Sequence, residues 1–179
     1  DVYKRQEQIK WRAVSAMGAA VDALAEQDMD SARIIMRRFI WNLNDESGGI
    51  GWGSAEAMGE TMALNENLAG EYACFLVSYI NPDGNYLEHE DLQKGALWGV
   101  GRLAHARPQL VKDAAVFLAP FLVAEDPTRR GLAAWAAAAF PTETVGPNLA
   151  HLIDDNTNFS IYLDGNLFNL PVNQFVKTA

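Results

Sequence analysis

The 179 residues include 49% apolar and 21% charged side chains, a composition that is typical of a folded domain and excludes global disorder. With 14 basic and 23 acidic residues the formal charge is −9, which opposes a nucleic acid as partner because the phosphates repel acidic surfaces. The longest strongly apolar stretch, residues 131–140, is much shorter than the roughly 20 residues that cross a bilayer, so no membrane partner is expected either.

Two short features of the sequence, the first six residues and the single cysteine, each support a separate prediction. Asp-Val-Tyr-Lys-Arg-Gln resembles the translated end of a transposon used to prepare sequencing libraries, so we expect residues 1–6 to be foreign and the natural N-terminus to be missing. Cys74 by itself forms neither an intramolecular disulfide nor a CxxC site. We expect it to be a small buried residue in a protein of the reducing cytoplasm.

The first predicted helices form pairs. A helix that contains the small-residue segment 11–18 is followed by one over residues 31–44, whose apolar side chains recur at i, i+3, i+4, i+7, i+8 and i+11 and therefore share one face. Asp30 is the expected N-cap of this second helix. The pair then repeats, since segment 52–59 has the same small residues and residues 68–80 have the same apolar spacing until a Pro-Asp-Gly turn stops the helix.

The third pair consists of segment 94–101 and a helix over about residues 108–124, which Pro120 should kink. Asp126-Pro127 predicts the N-cap and first turn of a further helix that contains a looser small-residue segment, 130–137. The four segments recur about every 40 residues, which is the length of a two-helix repeat. Small residues let neighbouring helices approach closely, and stacking covers the apolar face that each pair leaves open.

The C-terminal segment departs from this pattern. Residues 159–163 and 167–170 alternate like strands and are joined by an Asp-Gly-Asn turn, which predicts a β-hairpin. Pro171 then opens a short helix that contains Phe175 and Val176. Because a two-stranded sheet is barely stable by itself, we expect this hairpin to cap the open end of the array.

The two helix types, the repeat period and the Ala-Met-Gly and Gly-Val-Gly motifs resemble HEAT repeats, particularly the short bacterial type related to phycobilisome lyases. Stretches 41–52, 71–80 and 95–103 further resemble an uncharacterised HEAT-like family of anaerobic, sulfate-reducer-type bacteria, with a likeness that extends over about residues 10–179. The resemblance implies an all-α fold. Residues 7–155 would form a right-handed α-solenoid of HEAT-like helical hairpins, and residues 156–179 would add the β-hairpin and short helix. That family has no assigned activity.

Equivalent positions of successive repeats predict a binding surface. In a HEAT-type stack the second helices line the concave face, so their matching residues form rows across it. Trp52, Glu56 and Glu60 lie at i, i+4 and i+8 on one predicted helical stripe. One repeat later, Trp98 occupies the position equivalent to Glu56, and Arg102 the position equivalent to Glu60. Helix axes pack about 8–10 Å apart, so we expect Glu56 beside Trp98 and Glu60 beside Arg102. These five residues form the predicted site. Alternatively, Glu60 and Arg102 merely pair between repeats while the tryptophans fill space.

No motif in the chain predicts catalysis or a bound metal. Four residues of two acidic loops have metal-ligating side chains, but their spacing is not diagnostic and a solvated acidic edge is the favoured explanation: Asp45, Glu46, His89 and Glu90. His105 and His151 lack a nucleophile and an acid in a recognisable arrangement, so we expect them to be ordinary structural residues. We therefore expect no cofactor and favour a protein without enzymatic activity.

Two functions remain open for the predicted site. The favoured one is a scaffold whose concave face holds a protein or peptide partner. The rival follows from the resemblance, since some HEAT-like proteins are bilin lyases: a tetrapyrrole-binding, lyase-like protein or another small-ligand enzyme with its site at Trp52 and Trp98. Other HEAT-like proteins are DNA glycosylases, but these need a basic groove, which Glu56, Glu60 and the negative charge oppose.

Overall fold

The computed structural model describes residues 2–45 and 51–176 as a series of helices followed by a two-stranded sheet. The helices are α1 Val2–Gln27, α2 Met29–Leu43, α3 Ser54–Leu64, α4 Glu66–Ser78, α5 Glu90–Ala106, α6 Ala114–Leu122, α7 Pro127–Ala137 and α8 Thr142–Leu149. The strands are β1 Asn158–Leu163 and β2 Asn166–Pro171, and 3-10 turns lie at Pro108–Leu110, Ala150–Leu152 and Val172–Phe175. The predicted helical repeat fold with a C-terminal β-hairpin is confirmed.

The helices pack in two layers. α1, α3, α5 and α7 lie side by side, each in contact with the next, and we call them the helix row. The second layer packs against this row: α2 contacts α1 and α3, α4 contacts α3 and α5, and α6 contacts α7. The small-residue segments lie in the helix row, except that Trp52 and Gly53 form a turn before α3, so Trp52 does not share a helical stripe with Glu56 and Glu60 as expected. The amphipathic helices α2 and α4 belong to the second layer. The alternation of helix types along the sequence therefore corresponds to an alternation between layers.

Two glycines explain how closely the helix row packs. A Cβ atom at Gly59 of α3 would lie 2.5 Å from the carbonyl oxygen of Gly99 in α5. A Cβ atom at Gly99 would in turn lie 2.6 Å from the carbonyl oxygen of Ala55. These distances are far below van der Waals contact, so α3 and α5 can pack this closely only because both positions lack a side chain.

The start of α2 differs from the prediction. The expected cap, Asp30, lies inside the first turn and pairs instead with Arg33, at 2.8 Å. The cap is Asp28, whose side chain accepts a hydrogen bond from the backbone N–H of Ser31 at 3.1 Å, because it directly precedes the first helical residue, Met29. The predicted apolar face is confirmed, and its buried members are Ala32, Met36, Phe39 and Leu43.

The expected burial of Cys74 is wrong. The buried stripe of α4 consists of Leu68, Ala69, Tyr72, Ala73 and Leu76. Cys74 is exposed, and so is Phe75, which the spacing also placed on the buried face. With 3.6 residues per turn, position 74 falls on the side of the helix that faces away from this stripe, whereas position 75 lies at the edge of the stripe, about 90° from its centre.

The predicted helix over residues 108–124 is interrupted. Pro108–Leu110 forms a 3-10 turn, and the α-helix starts only at Ala114. Between them the backbone of Val111 leaves the helical conformation, with φ −130° and ψ 23°, and its side chain is buried. The chain thus leaves the helix where this apolar side chain enters the core. Pro120 lies inside α6, near its C-terminal end.

The β-hairpin closes at Asp164 and Gly165, whose φ angles of 46° and 84° suit a two-residue turn between antiparallel strands. β1 and the Val172–Phe175 turn pack against α7. Tyr162 of β1 also reaches α1, where its ring stacks on Trp11. The hairpin therefore contacts both the first and the last helix of the row. The expected short helix after the hairpin is this 3-10 turn.

The backbone of α1 begins at Val2, so residues 2–6 continue the helix that carries the first small-residue segment. The foreign origin of residues 1–6 and the division at residue 155 stay predictions.

Candidate functional site

Trp98 occupies the middle of the helix row and is almost completely buried, with 2% of its surface exposed. Its ring centroid lies 4.6 Å from that of Trp11 and 6.1 Å from that of Trp135. Its Nε1–H donates a hydrogen bond of 2.8 Å to the backbone carbonyl oxygen of Tyr162. Trp98 is therefore a core residue that holds the hairpin on the row, and it meets the surroundings only where it lines cavities.

Tyr162 joins this aromatic cluster to α1. Its ring stacks on Trp11 with centroids 4.8 Å apart and planes 7° apart. Its hydroxyl lies 2.9 Å from Ser15 Oγ, within hydrogen-bond distance. The indole N–H of Trp11 is buried without a hydrogen-bond partner, which costs about 1–3 kcal/mol and is offset by the burial and stacking of the ring.

A cavity of about 300 Å³, which we call the Trp52 cavity, lies beside the N-terminal halves of α3 and α5. Its walls include Trp52, Glu56 and Trp98 of the predicted site, together with Lys10 and Trp11 of α1. Trp52 is 63% exposed, whereas Glu56 is 3% exposed. The volume falls at the lower end of the roughly 300–1,000 Å³ of small-molecule pockets. The cavity thus has an exposed indole at its mouth and a buried carboxylate inside.

The carboxylate of Glu56 is held from two sides. Lys10 Nζ lies 2.5 Å from Glu56 Oε1, and it also lies 4.9 Å from the ring centroid of Trp11. The other oxygen, Oε2, lies against Gly95, where a Cβ atom would come within 2.6 Å of it. The side chain of Lys10 is 40% exposed. A buried carboxylate is therefore paired with an ammonium group whose side chain is partly exposed to solvent.

A second charged group at the cavity centres on Lys94, whose Nζ lies 2.9 Å from Asp126 and 3.3 Å from Asp91. Burial alone would lower the pKa of Lys94, but its hydrogen bonds to these carboxylates and their charges outweigh burial and raise it. Burial would raise the pKa of Asp126, but its bonds with Lys94 and with the backbone N–H groups of Thr128 and Arg129 lower it. The same carboxylate caps α7, as the sequence predicts.

Glu60 and Arg102 line a second cavity, of about 410 Å³, beside the C-terminal halves of α3 and α5. Arg102 Nε donates a hydrogen bond of 2.7 Å to Glu60 Oε2. His105 also lines this Arg102 cavity, where its ring stacks on Trp135 with centroids 5.0 Å apart. His151 lies elsewhere, with Nε2 3.1 Å from a backbone carbonyl oxygen of α6. Both histidines thus place Nε2 near a backbone carbonyl oxygen, which for His105 is that of Trp135 at 3.0 Å.

The predicted site is divided between these two cavities. Trp52 and Glu56 line the first, Glu60 and Arg102 line the second, and Trp98 lines both. The predicted proximity of Glu60 and Arg102 is confirmed by their ion pair. The alternative in which the tryptophans only fill space describes Trp98 but not the exposed Trp52. A binding role for these five residues stays a prediction.

Three contributors to the site were missed: Lys10, Trp11 and Tyr162. Trp11 occupies the position equivalent to Trp52 one repeat earlier, so the spacing that predicts the site also contains the signal for it. Lys10 is its neighbour in sequence. Tyr162 has no such signal, because its place depends on where the hairpin packs.

The hypothetical metal site is not assembled in the described part of the chain. His89 is the N-cap of α5, and its Nδ1 accepts a hydrogen bond of 3.3 Å from a backbone N–H of the first turn. Glu90 pairs with Arg129 at 3.1 Å. Glu46 lies outside the described residues. Within them, no three His, Cys, Asp or Glu side chains are grouped in a way that suits a metal ion.

Comparison with known families agrees with this architecture. Residues 90–136, which extend from the start of α5 almost to the end of α7, match the family model of a HEAT-like repeat. The chain is thus similar to HEAT-like repeat proteins and forms a helical scaffold of that kind. Comparisons with curated proteins and with solved structures gave no match. In the ranges that the structure describes, no helix combines the length and apolar character required to cross a bilayer.

Proposed function

We propose that this chain is a non-catalytic binding module of the cytoplasm, which holds a segment of a partner protein beside the helix row with Trp52 as the anchor. The observation that carries the proposal is the 63% exposure of an indole at the mouth of a cavity. Tryptophan is enriched among the residues that dominate binding energy, particularly where an adjacent pocket excludes water. A cytoplasmic location keeps the exposed thiol of Cys74 reduced.

The scaffold and its charges support binding rather than chemistry. Helical repeat arrays present extended surfaces that commonly bind proteins. Two of the carboxylates that line the cavities are already in ion pairs, Glu56 with Lys10 and Glu60 with Arg102. Groups held in this way are well suited to recognition, whereas proton transfer needs an acid or a base within reach of a substrate.

A second exposed tryptophan provides a matched control for a test. Trp41 of α2 is 54% exposed, but it does not line the Trp52 cavity, and the guanidinium of Arg38 lies over its ring at 4.6 Å. Peptides selected from a displayed random library on the immobilised chain would be labelled and titrated by fluorescence anisotropy against wild type, Trp52→Ala and Trp41→Ala. Circular dichroism would establish that both variants fold.

We expect Trp52→Ala to weaken peptide binding about 30-fold, which corresponds to a hot-spot loss of about 2 kcal/mol. Trp41→Ala should leave the affinity within about twofold of wild type. Both variants should keep the wild-type melting temperature, because neither side chain is buried. Equal affinities for wild type and Trp52→Ala, or a failure to select any peptide, would contradict the proposal.

The alternative is a tetrapyrrole or another small ligand at Trp52 and Trp98, and the indole-lined cavity is the observation that favours it. Its volume, about 300 Å³, suits a compact molecule better than a large one. Incubation with a bilin and with haem, followed by absorbance spectra, tests this proposal. A band shift that Trp52→Ala abolishes would support it, and unchanged spectra would exclude both pigments.

A further inference from the structure

The carboxylate of Glu56 requires a cation. The side chain is almost fully buried, and an ionised carboxylate that is removed from water is costly unless it is paired. Its partner is the ammonium group of Lys10, at 2.5 Å, on a side chain that is still 40% exposed. Holding a long lysine side chain in one geometry costs conformational entropy, up to about 2 kcal/mol. This pairing is therefore open to replacement by another ammonium group.

The walls of the Trp52 cavity suit such a group. The ammonium of Lys10 lies 4.9 Å from the ring centroid of Trp11, within the range of a cation–π contact. Glu7 and Asp91 also line the cavity, and a second lysine there, Lys94, is paired with Asp126 and Asp91. Beside Lys10 there remains a volume of about 300 Å³. The position of Lys10 thus shows how an ammonium group is accommodated between a carboxylate and an indole.

We infer that the group which enters the Trp52 cavity is a primary ammonium, the side chain of a lysine in the bound segment, and that it replaces Lys10 at Glu56. The inference rests on the proposed function and specifies the anchor residue of the partner. Charge complementarity argues for it, because the chain carries a formal charge of −9 and a carboxylate would be repelled by Glu56. An apolar side chain would gain nothing from Glu56.

Two variants test this exchange. Glu56→Gln keeps the shape of the side chain but removes the charge, and it should weaken a lysine-containing selected peptide at least about tenfold, which is about 1.4 kcal/mol. Lys10→Met removes the internal competitor and should strengthen the same peptide roughly twofold to fivefold. Lys112→Met is the control, because it changes the net charge equally at an exposed position that does not line the cavity and should leave the affinity within about twofold of wild type. Replacing the peptide's lysine by glutamine should make all these variants bind equally.

The free probe n-butylammonium separates this inference from the proposed function. In ¹⁵N-labelled protein the indole N–H signal of Trp11, identified by its loss in Trp11→Phe, should shift on titration with n-butylammonium. The shift should disappear in Glu56→Gln and increase in Lys10→Met. If peptides bind but are insensitive to their lysine and to Glu56→Gln, the inference is refuted while the proposed function stands. If no peptide is selected but the probe shifts Trp11 as described, the ammonium site stands without the peptide. No shift in any protein refutes the site.

Discussion

An alanine at Gly99 should force α3 and α5 apart. The added methyl carbon would lie 2.6 Å from the carbonyl oxygen of Ala55 and 3.4 Å from Leu76 Cδ1. The leucine can adjust by rotating, but the carbonyl oxygen belongs to a helix backbone, so the helices themselves have to separate. Overpacking of this kind costs about 1–3 kcal/mol, and the upper half of that range is expected where the neighbour is backbone.

The same substitution also has a favourable effect. Alanine is preferred over glycine inside a helix by about 1 kcal/mol, which leaves a net loss of about 1–2 kcal/mol for Gly99→Ala. In a chain of this size each kcal/mol changes the melting temperature by about 2–4 °C, so we expect a decrease of about 2–8 °C. Gly70 of α4 provides the control, because a Cβ atom there meets nothing within 4 Å. Gly70→Ala should therefore raise the melting temperature by about 2–4 °C.

Thermal unfolding followed by far-ultraviolet circular dichroism, with urea unfolding as a second measurement, gives both values. The prediction is that the two substitutions change the melting temperature in opposite directions, and it does not depend on either value alone. If Gly99→Ala were as stable as Gly70→Ala, the close contact between α3 and α5 would not exist, and the account of the small-residue segments would be refuted.

Four further substitutions test the contacts around the cavities. Asp126→Ala should lower the free energy of unfolding by about 1–2 kcal/mol near neutral pH. Because the pKa of Asp126 is lowered on folding, its contribution to stability is present above about pH 4 and is lost as the pH falls through the folded value. Urea unfolding should therefore show that the difference between the variant and wild type decreases on acidification. Arg102→Ala and Glu60→Ala should show a coupling of about 0.5–1 kcal/mol in a double-mutant cycle of unfolding free energies, and additivity would argue against their ion pair. Tyr162→Ala should cost about 3–5 kcal/mol and shift tryptophan emission to longer wavelength as Trp98 becomes hydrated, whereas an unchanged spectrum would mean that the hairpin does not cover it.

The repeat spacing was sufficient to predict the helix row and one tertiary contact. Helix type depends on residues within two or three turns, and a regular repeat carries that local pattern across the fold. Glu60 and Arg102 occupy equivalent positions on neighbouring helices, so the same spacing also brought them together, and the ion pair is found at 2.7 Å. A contact between equivalent positions requires no knowledge of the loops.

The remaining features depend on contacts that do not recur from one repeat to the next, so the repeat spacing does not predict them. Trp11 and Trp52 stand in equivalent positions, yet one is buried and the other exposed, because Tyr162 of the hairpin stacks on Trp11 and leaves Trp52 uncovered. The pairing of Glu56 with Lys10 depends on how the side chain of α1 lies against α3. Cys74 shows a simpler limit, since an apolar run does not reveal which of its members faces outward.

The contact of the hairpin with both α1 and α7 changes the mechanical character of the molecule. In an open repeat array each unit contacts only its neighbours, so the ends can fray one unit at a time and the array can bend like a spring. Here the contacts among Tyr162, Trp98 and Trp11 connect the β-hairpin with the first helix of the row. Unfolding that starts at either end has to break these contacts, so the described fold should unfold in one cooperative transition and resist bending.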